Sequence, residues 1–139
     1  MGDRGQVHMK DLGVWLYTHW SATELPDLVR KSLGRSRGKD VPNLPFKEGG
    51  RWDDPEYLTR IIFCDMLEGD LEGLTGYGIG KDQHGDVYRV IEIQCPARHL
   101  EQEDRIRVLR GDKGETVRWE GSFDEFINSD INWYEDEED

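Results

Sequence analysis

Cysteine is scarce in these 139 residues: Cys64 and Cys95 stand alone and far apart, which excludes a disulfide framework and a paired-thiol metal motif. Long apolar runs are absent too. The longest spans residues 61–64, far short of a membrane-crossing helix, and the polar first eleven residues lack the apolar stretch of a signal peptide. The expectation is a cytoplasmic protein that makes no use of a membrane. Bases are missing from the end of the chain, where residues 120–139 carry nine acids and no lysine or arginine. No internal repeat is visible, and no motif specifies a reaction.

The net charge is −12, yet residues 1–118 hold 21 acids against 18 bases, a balance of only −3. Within them, residues 30–51 carry seven bases (Arg30, Lys31, Arg35, Arg37, Lys39, Lys47, Arg51) and two acids, Asp40 and Glu48. Charge is therefore bipolar, and steering depends on where it sits rather than on its sum. With 35% hydrophobic residues, five Trp and five Tyr, the chain is too aromatic for a disordered polymer despite a mean hydropathy of −0.81. One domain over residues 1–129 is expected, followed by an acidic tail at 130–139 with Trp133 and Tyr134 as its apolar anchors.

Residues 14–20 (VWLYTHW) alternate β-branched and aromatic side chains and read as a strand. Ser21 or Thr23 can then cap a helix whose stripe is Leu25, Leu28, Val29 and Leu33, ending at Gly34. Residues 35–50, with three Gly and two Pro, read as a long exposed loop. Asp53 or Asp54 opens a second helix with Pro55 in its first turn, a stripe of Leu58, Ile61, Ile62 and Met66, and Cys64 buried among them. From Thr75 the period becomes two. Residues 75–80 and 86–94 suggest a hairpin, residues 105–109 and 116–119 a second one, and Ser122 with Glu125 forms a capping box for a last short helix. The order predicts an α+β fold: an antiparallel sheet of four to five strands with two helices on one face.

His19 and Trp20 end the first strand, while Arg51, Trp52, Asp53 and Asp54 precede the second helix, and clefts form at such boundaries. Flat rings suit a base, arginines suit phosphate, and carboxylates suit a ribose or amine. The bland alternative is that Trp52 packs on the core, an Asp merely caps, and His19 bonds locally. A hydrolase using His19 as base, oriented by Asp53 or Asp54, is the third reading. Asp82, His84 and Asp86 could ligate a metal, although Asp-Gln-His-Gly is good turn chemistry. Gly76 to Gly80 (GYGIG) is one residue short of a dinucleotide fingerprint and opens no helix. Arg110-Gly111-Asp112 reads as a hairpin tip.

The stretches Tyr17-Thr18-His19-Trp20 and Arg51-Trp52-Asp53-Asp54, with residues 57–63 (YLTRIIF), resemble a group of small proteins from bacteria, archaea and their phages that carry Y-[ST]-H-W and R-W-D-D-x-x-Y-L-x-R-I-I-F. The resemblance implies a phage-type accessory gene, where small binders that blunt host defences are common, and no functional residue follows from it. The leading expectation is thus a non-enzymatic protein holding a small anionic, nucleotide-like ligand. His19, Trp20, Arg51, Trp52 and Tyr57 would line the site, with Arg35, Arg37 and Lys39 closing over it. No cofactor and no metal is expected. Duplex nucleic acid is disfavoured by the overall charge. The runner-up is an inhibitor or nucleic-acid mimic whose acidic tail meets a basic host protein, and self-association stays open.

Overall fold

The computed structural model describes residues 3–36, 52–111 and 116–133. It is an α+β domain with a six-stranded mixed sheet and three α-helices. The strands are β1 (Gly5–Met9), β2 (Val14–Thr18), β3 (Tyr77–Gly80), β4 (Arg89–Gln94), β5 (Arg105–Arg110) and β6 (Thr116–Gly121), in the order β3-β2-β1-β4-β5-β6. The helices are α1 (Leu25–Ser36), α2 (Pro55–Met66) and α3 (Phe123–Ile127).

Two expectations change. The sheet is not wholly antiparallel: β1 lies at its centre, pairing antiparallel with β2 and parallel with β4. The 75–94 region is not a hairpin either. β3 extends the sheet beyond β2, while β4 pairs with β1 and β5, so two strands separate them. The hairpin of β5 and β6 forms as expected, with a bulge in register at Val108/Leu109.

All three helices contribute to one core on one face of the sheet. Val7, Met9, Leu16, Ile91, Ile93, Ile106 and Val108 from the strands meet Leu25, Val29, Leu33, Leu58, Ile62 and Phe126 from the helices, all completely buried. Burying such side chains contributes about 1.5–3 kcal/mol each before chain entropy is counted. Gly34 does not end α1, which continues to Ser36, and neither Ser21 nor Thr23 caps it; a 3-10 turn at Ala22–Glu24 leads in, and Thr23 N–H donates to Asp3 Oδ2 at 2.8 Å. Asp54 is the cap of α2, accepting from the N–H groups of Glu56 (3.0 Å) and Tyr57 (3.3 Å) ahead of Pro55. Cys64 is exposed, not buried, because the buried stripe runs Leu58, Ile62, Asp65, Met66 and position 64 falls on the opposite side of the helix. The Ser122–Glu125 capping box is present.

Among the described residues no helix covers the other face of the sheet. Segment 81–88 crosses it, pinned by the wholly buried Gln6, whose side-chain amide donates to the Asp82 carbonyl (3.3 Å) and accepts from His84 N–H (3.0 Å). Val87 packs there with Val90, Leu109, Trp15 and Tyr17. Further along, His8 stacks on Trp15 at 3.9 Å and faces Glu92, which also takes Arg107 at 3.2 Å. The His8 hydrogen bond, with help from Arg107 and against the pull of burial, holds the Glu92 carboxyl below its ordinary range. A depressed acid stabilises the fold above its unfolded value, and that contribution disappears as pH falls through 4.5 to the lower folded value. Glu92→Gln should therefore flatten the acid limb of a melting-temperature profile while lowering stability near neutrality. An unchanged acid limb would refute the assignment.

Candidate functional site

A cavity of about 530 Å³ opens at the end of the sheet where β1 and β4 finish. Three short segments build it. Asp11 comes from the turn between β1 and β2, Trp52, Asp53 and Pro55 from the entry to α2, and Cys95 to Leu100 from the chain leaving β4. Sequence places Asp11 there because the β1–β2 hairpin reverses just after Met9, with Leu12 N–H on the Met9 carbonyl at 3.2 Å.

Asp11 ties two walls together. Its carboxylate accepts from Cys95 N–H and from Gln102 Nε2, both at 2.7 Å, and Gln102 also donates to the Cys95 carbonyl at 2.6 Å. The Cys95 thiol donates to the Trp52 carbonyl at 3.9 Å. Burial pushes this thiol up from its ordinary range, and the nearby carboxylates of Asp11, Asp53, Asp54 and Asp104 push it further the same way. Cys95 is a protonated, engaged donor at neutral pH, not a nucleophile. The same carboxylates give the cleft a negative field. Trp52 is half-buried with its ring edge-on to Phe123 at 6.0 Å, and Asp53 is exposed and pairs with nothing among the described residues.

The residues expected to share one site fall into separate places. His19 and Trp20 lie beyond the far end of β2, beside the start of β1, so the length of β1 separates them from Trp52; five residues at about 3.3 Å each put the two ends of the strand well beyond contact. There His19 Nδ1 receives Arg4 Nε (3.3 Å) and lies 3.0 Å from Tyr17 Oη, while Arg4 also pairs with Asp86. Arg4 Nε can only donate, so Nδ1 must accept and the proton sits on Nε2. The imagined pairing of His19 with Asp53 or Asp54 is thereby lost, because those carboxylates stand at the other end of the sheet.

Arg35 lies in the last turn of α1 and is committed to the nearly buried carboxylate of Asp65 at 3.2 Å. Tyr57 projects from the first turn of α2, about half exposed, and the cleft lining stops short of it at Pro55. Arg37, Lys39 and Arg51 lie outside the described residues. Of the expected residues that are described, Trp52 alone lines the cleft.

No family model, curated protein or solved structure matches this chain.

Among the described residues no cluster of His, Cys, Asp or Glu is arranged to hold a metal. His84 stacks on Tyr17 at 4.5 Å and Asp86 serves Arg4. Nor does any helix among them have the length and apolarity to cross a membrane. Gly76, first residue of the glycine-rich stretch, has a packing role: its φ is +98°, and a Cβ there would stand 1.9 Å from the Trp20 ring. Asp11, Cys95 and His99 were not legible as site residues. The one available signal was Cys95-Pro96 directly after a run of period two, which marks where a strand stops and a rim begins.

Proposed function

We propose that the protein is a non-enzymatic binder of a nucleoside-like compound, a planar ring bearing hydroxyl or amino donors, held in the cleft at Trp52. The half-buried indole supplies a stacking face, and the rim carboxylate of Asp53 supplies an acceptor for ribose-type hydroxyls or an amine. The observation that carries the reading is the pairing of that uncommitted carboxylate with an aromatic wall in a cavity of about 530 Å³, a size suited to a small molecule. The carboxylates of Asp11 and Asp53 in the lining argue for a neutral or cationic ligand and against the free nucleotide expected from the arginine-rich segment.

Calorimetry with a panel of nucleosides and the matching 5′-monophosphates separates these options. The nucleoside should bind more tightly than its monophosphate at low salt, the gap narrowing as added salt screens the carboxylates. Asp53→Asn should weaken nucleoside binding by about tenfold to a hundredfold, the value of a charged hydrogen bond. Heats indistinguishable from dilution across the whole panel, or full affinity in Asp53→Asn, would refute the reading.

A further inference from the structure

The outer edge of β3 is the second surface built for contact. His19 N–H donates to the Gly76 carbonyl at 2.8 Å, which fixes the alternation of the β2–β3 ladder. Residue pairs 19/76, 17/78 and 15/80 are the hydrogen-bonded rungs, so Tyr77 and Ile79 aim their N–H and C=O groups away from β2. Among the described residues nothing pairs with that edge. Ile79 faces the helix side of the sheet and is 65% exposed, because no further strand covers it.

A groove of about 520 Å³ runs beside this edge, floored by Leu28, Met66 and Tyr77. Its carboxylates outnumber its bases. Asp27, Asp65 and Glu68 are matched by Arg30, Arg35 and Lys31, which leaves Glu24 on the rim and Asp70 and Glu72 in the following turn as excess negative charge. In that turn Leu71 is 77% and Leu74 is 99% exposed. Free backbone groups, exposed apolar side chains and a net acidic rim occur together here.

We propose that β3 accepts an extended, lysine- or arginine-bearing apolar segment of a partner protein as a seventh strand. Backbone bonds to Tyr77 and Ile79 supply affinity, alternate apolar side chains settle against Ile79 and the groove floor, and the intervening cations face Glu24, Asp70 and Glu72. Gly78 and Gly80 present no side chain on the opposite face, so an incoming strand meets no obstruction there.

The test uses the full chain with an acetylated, amidated peptide of alternating lysine and valine, and its glutamate-valine counterpart. The lysine peptide should bind, more weakly as salt rises, and should slow amide exchange at Tyr77 and Ile79. The glutamate peptide should not bind. Ile79→Pro removes an outward N–H that the β2 ladder does not use, so the fold tolerates it, and affinity should fall by about tenfold or more. Ile79→Thr keeps the N–H and should retain most of the affinity. Binding without protection at Tyr77 and Ile79, equal affinity for the glutamate peptide, an unaffected Ile79→Pro variant, or slow exchange of both amides in the free protein would each overturn the proposal.

Discussion

Trp133→Ala should destabilise the protein by about 4 kcal/mol in urea unfolding. The size of the effect follows from burial. Trp133 is fully buried and belongs to the same apolar cluster as Phe123 and Phe126. Its approach is fixed by Arg30, which lies 5.0 Å over the Phe126 ring and donates to the Ile131 carbonyl. An alanine there leaves an indole-sized hole flanked by side chains already locked by α1 and α3, and such holes collapse poorly. The indole Nε1 is buried with no hydrogen-bond partner among the described residues. Trp133→Phe removes that unsatisfied donor while keeping a ring, so its cost should be well below that of alanine. A Trp133→Ala protein within 1 kcal/mol of the parent, roughly the typical effect of a point mutation, would show that the core ends at α3.

What the sequence made legible was what alternates. Strand β2, the β5–β6 hairpin, both long helices and the Ser122 cap all follow from period, caps and turns. The central strand was hidden for a physical reason. Gly5, Gln6 and His8 occupy three of its five positions, and such residues normally mark loops. They are tolerated because each has a specific answer in three dimensions: Gly5 admits the turn before α1, Gln6 is satisfied by segment 81–88, and His8 lies between Trp15 and Glu92. Missing β1 then misplaced the site. Without a central strand parallel to β4, local pattern leaves the end of β2 and the entry to α2 free to meet, and the hairpin signal at 75–94 pairs β3 with β4. Long-range pairing of this kind leaves no mark on local composition. Asp11 was hidden likewise, since a carboxylate in a polar N-terminal stretch has no local signature of the Cys95 amide it will accept from.

Gly5→Val gives the second large effect, about 3 kcal/mol of destabilisation, with Gly5→Ala costing about half as much. The argument rests on backbone that cannot retreat. A Cβ on residue 5 would lie 2.7 Å from Ala22 Cβ and 3.2 Å from Ala22 Cα, with Leu25 Cδ1 at 3.1 Å. Ala22 is held in place because its N–H donates to the Asp3 carbonyl at 3.0 Å and the next N–H, of Thr23, donates to Asp3 Oδ2 at 2.8 Å. The turn is thus tied to the same stretch of chain that carries Gly5, and pushing them apart breaks both bonds or shifts α1 off the sheet. Local preference predicts the opposite sign. In an unobstructed strand valine is favoured over glycine by up to about 1 kcal/mol, and in a free loop the exchange is near neutral. The sign of one unfolding measurement therefore decides between a crowded central strand and a peripheral segment. A Gly5→Val protein at least as stable as the parent would take β1 out of the middle of the sheet, and with it the parallel pairing that sets His19 and Trp52 at opposite ends of the molecule.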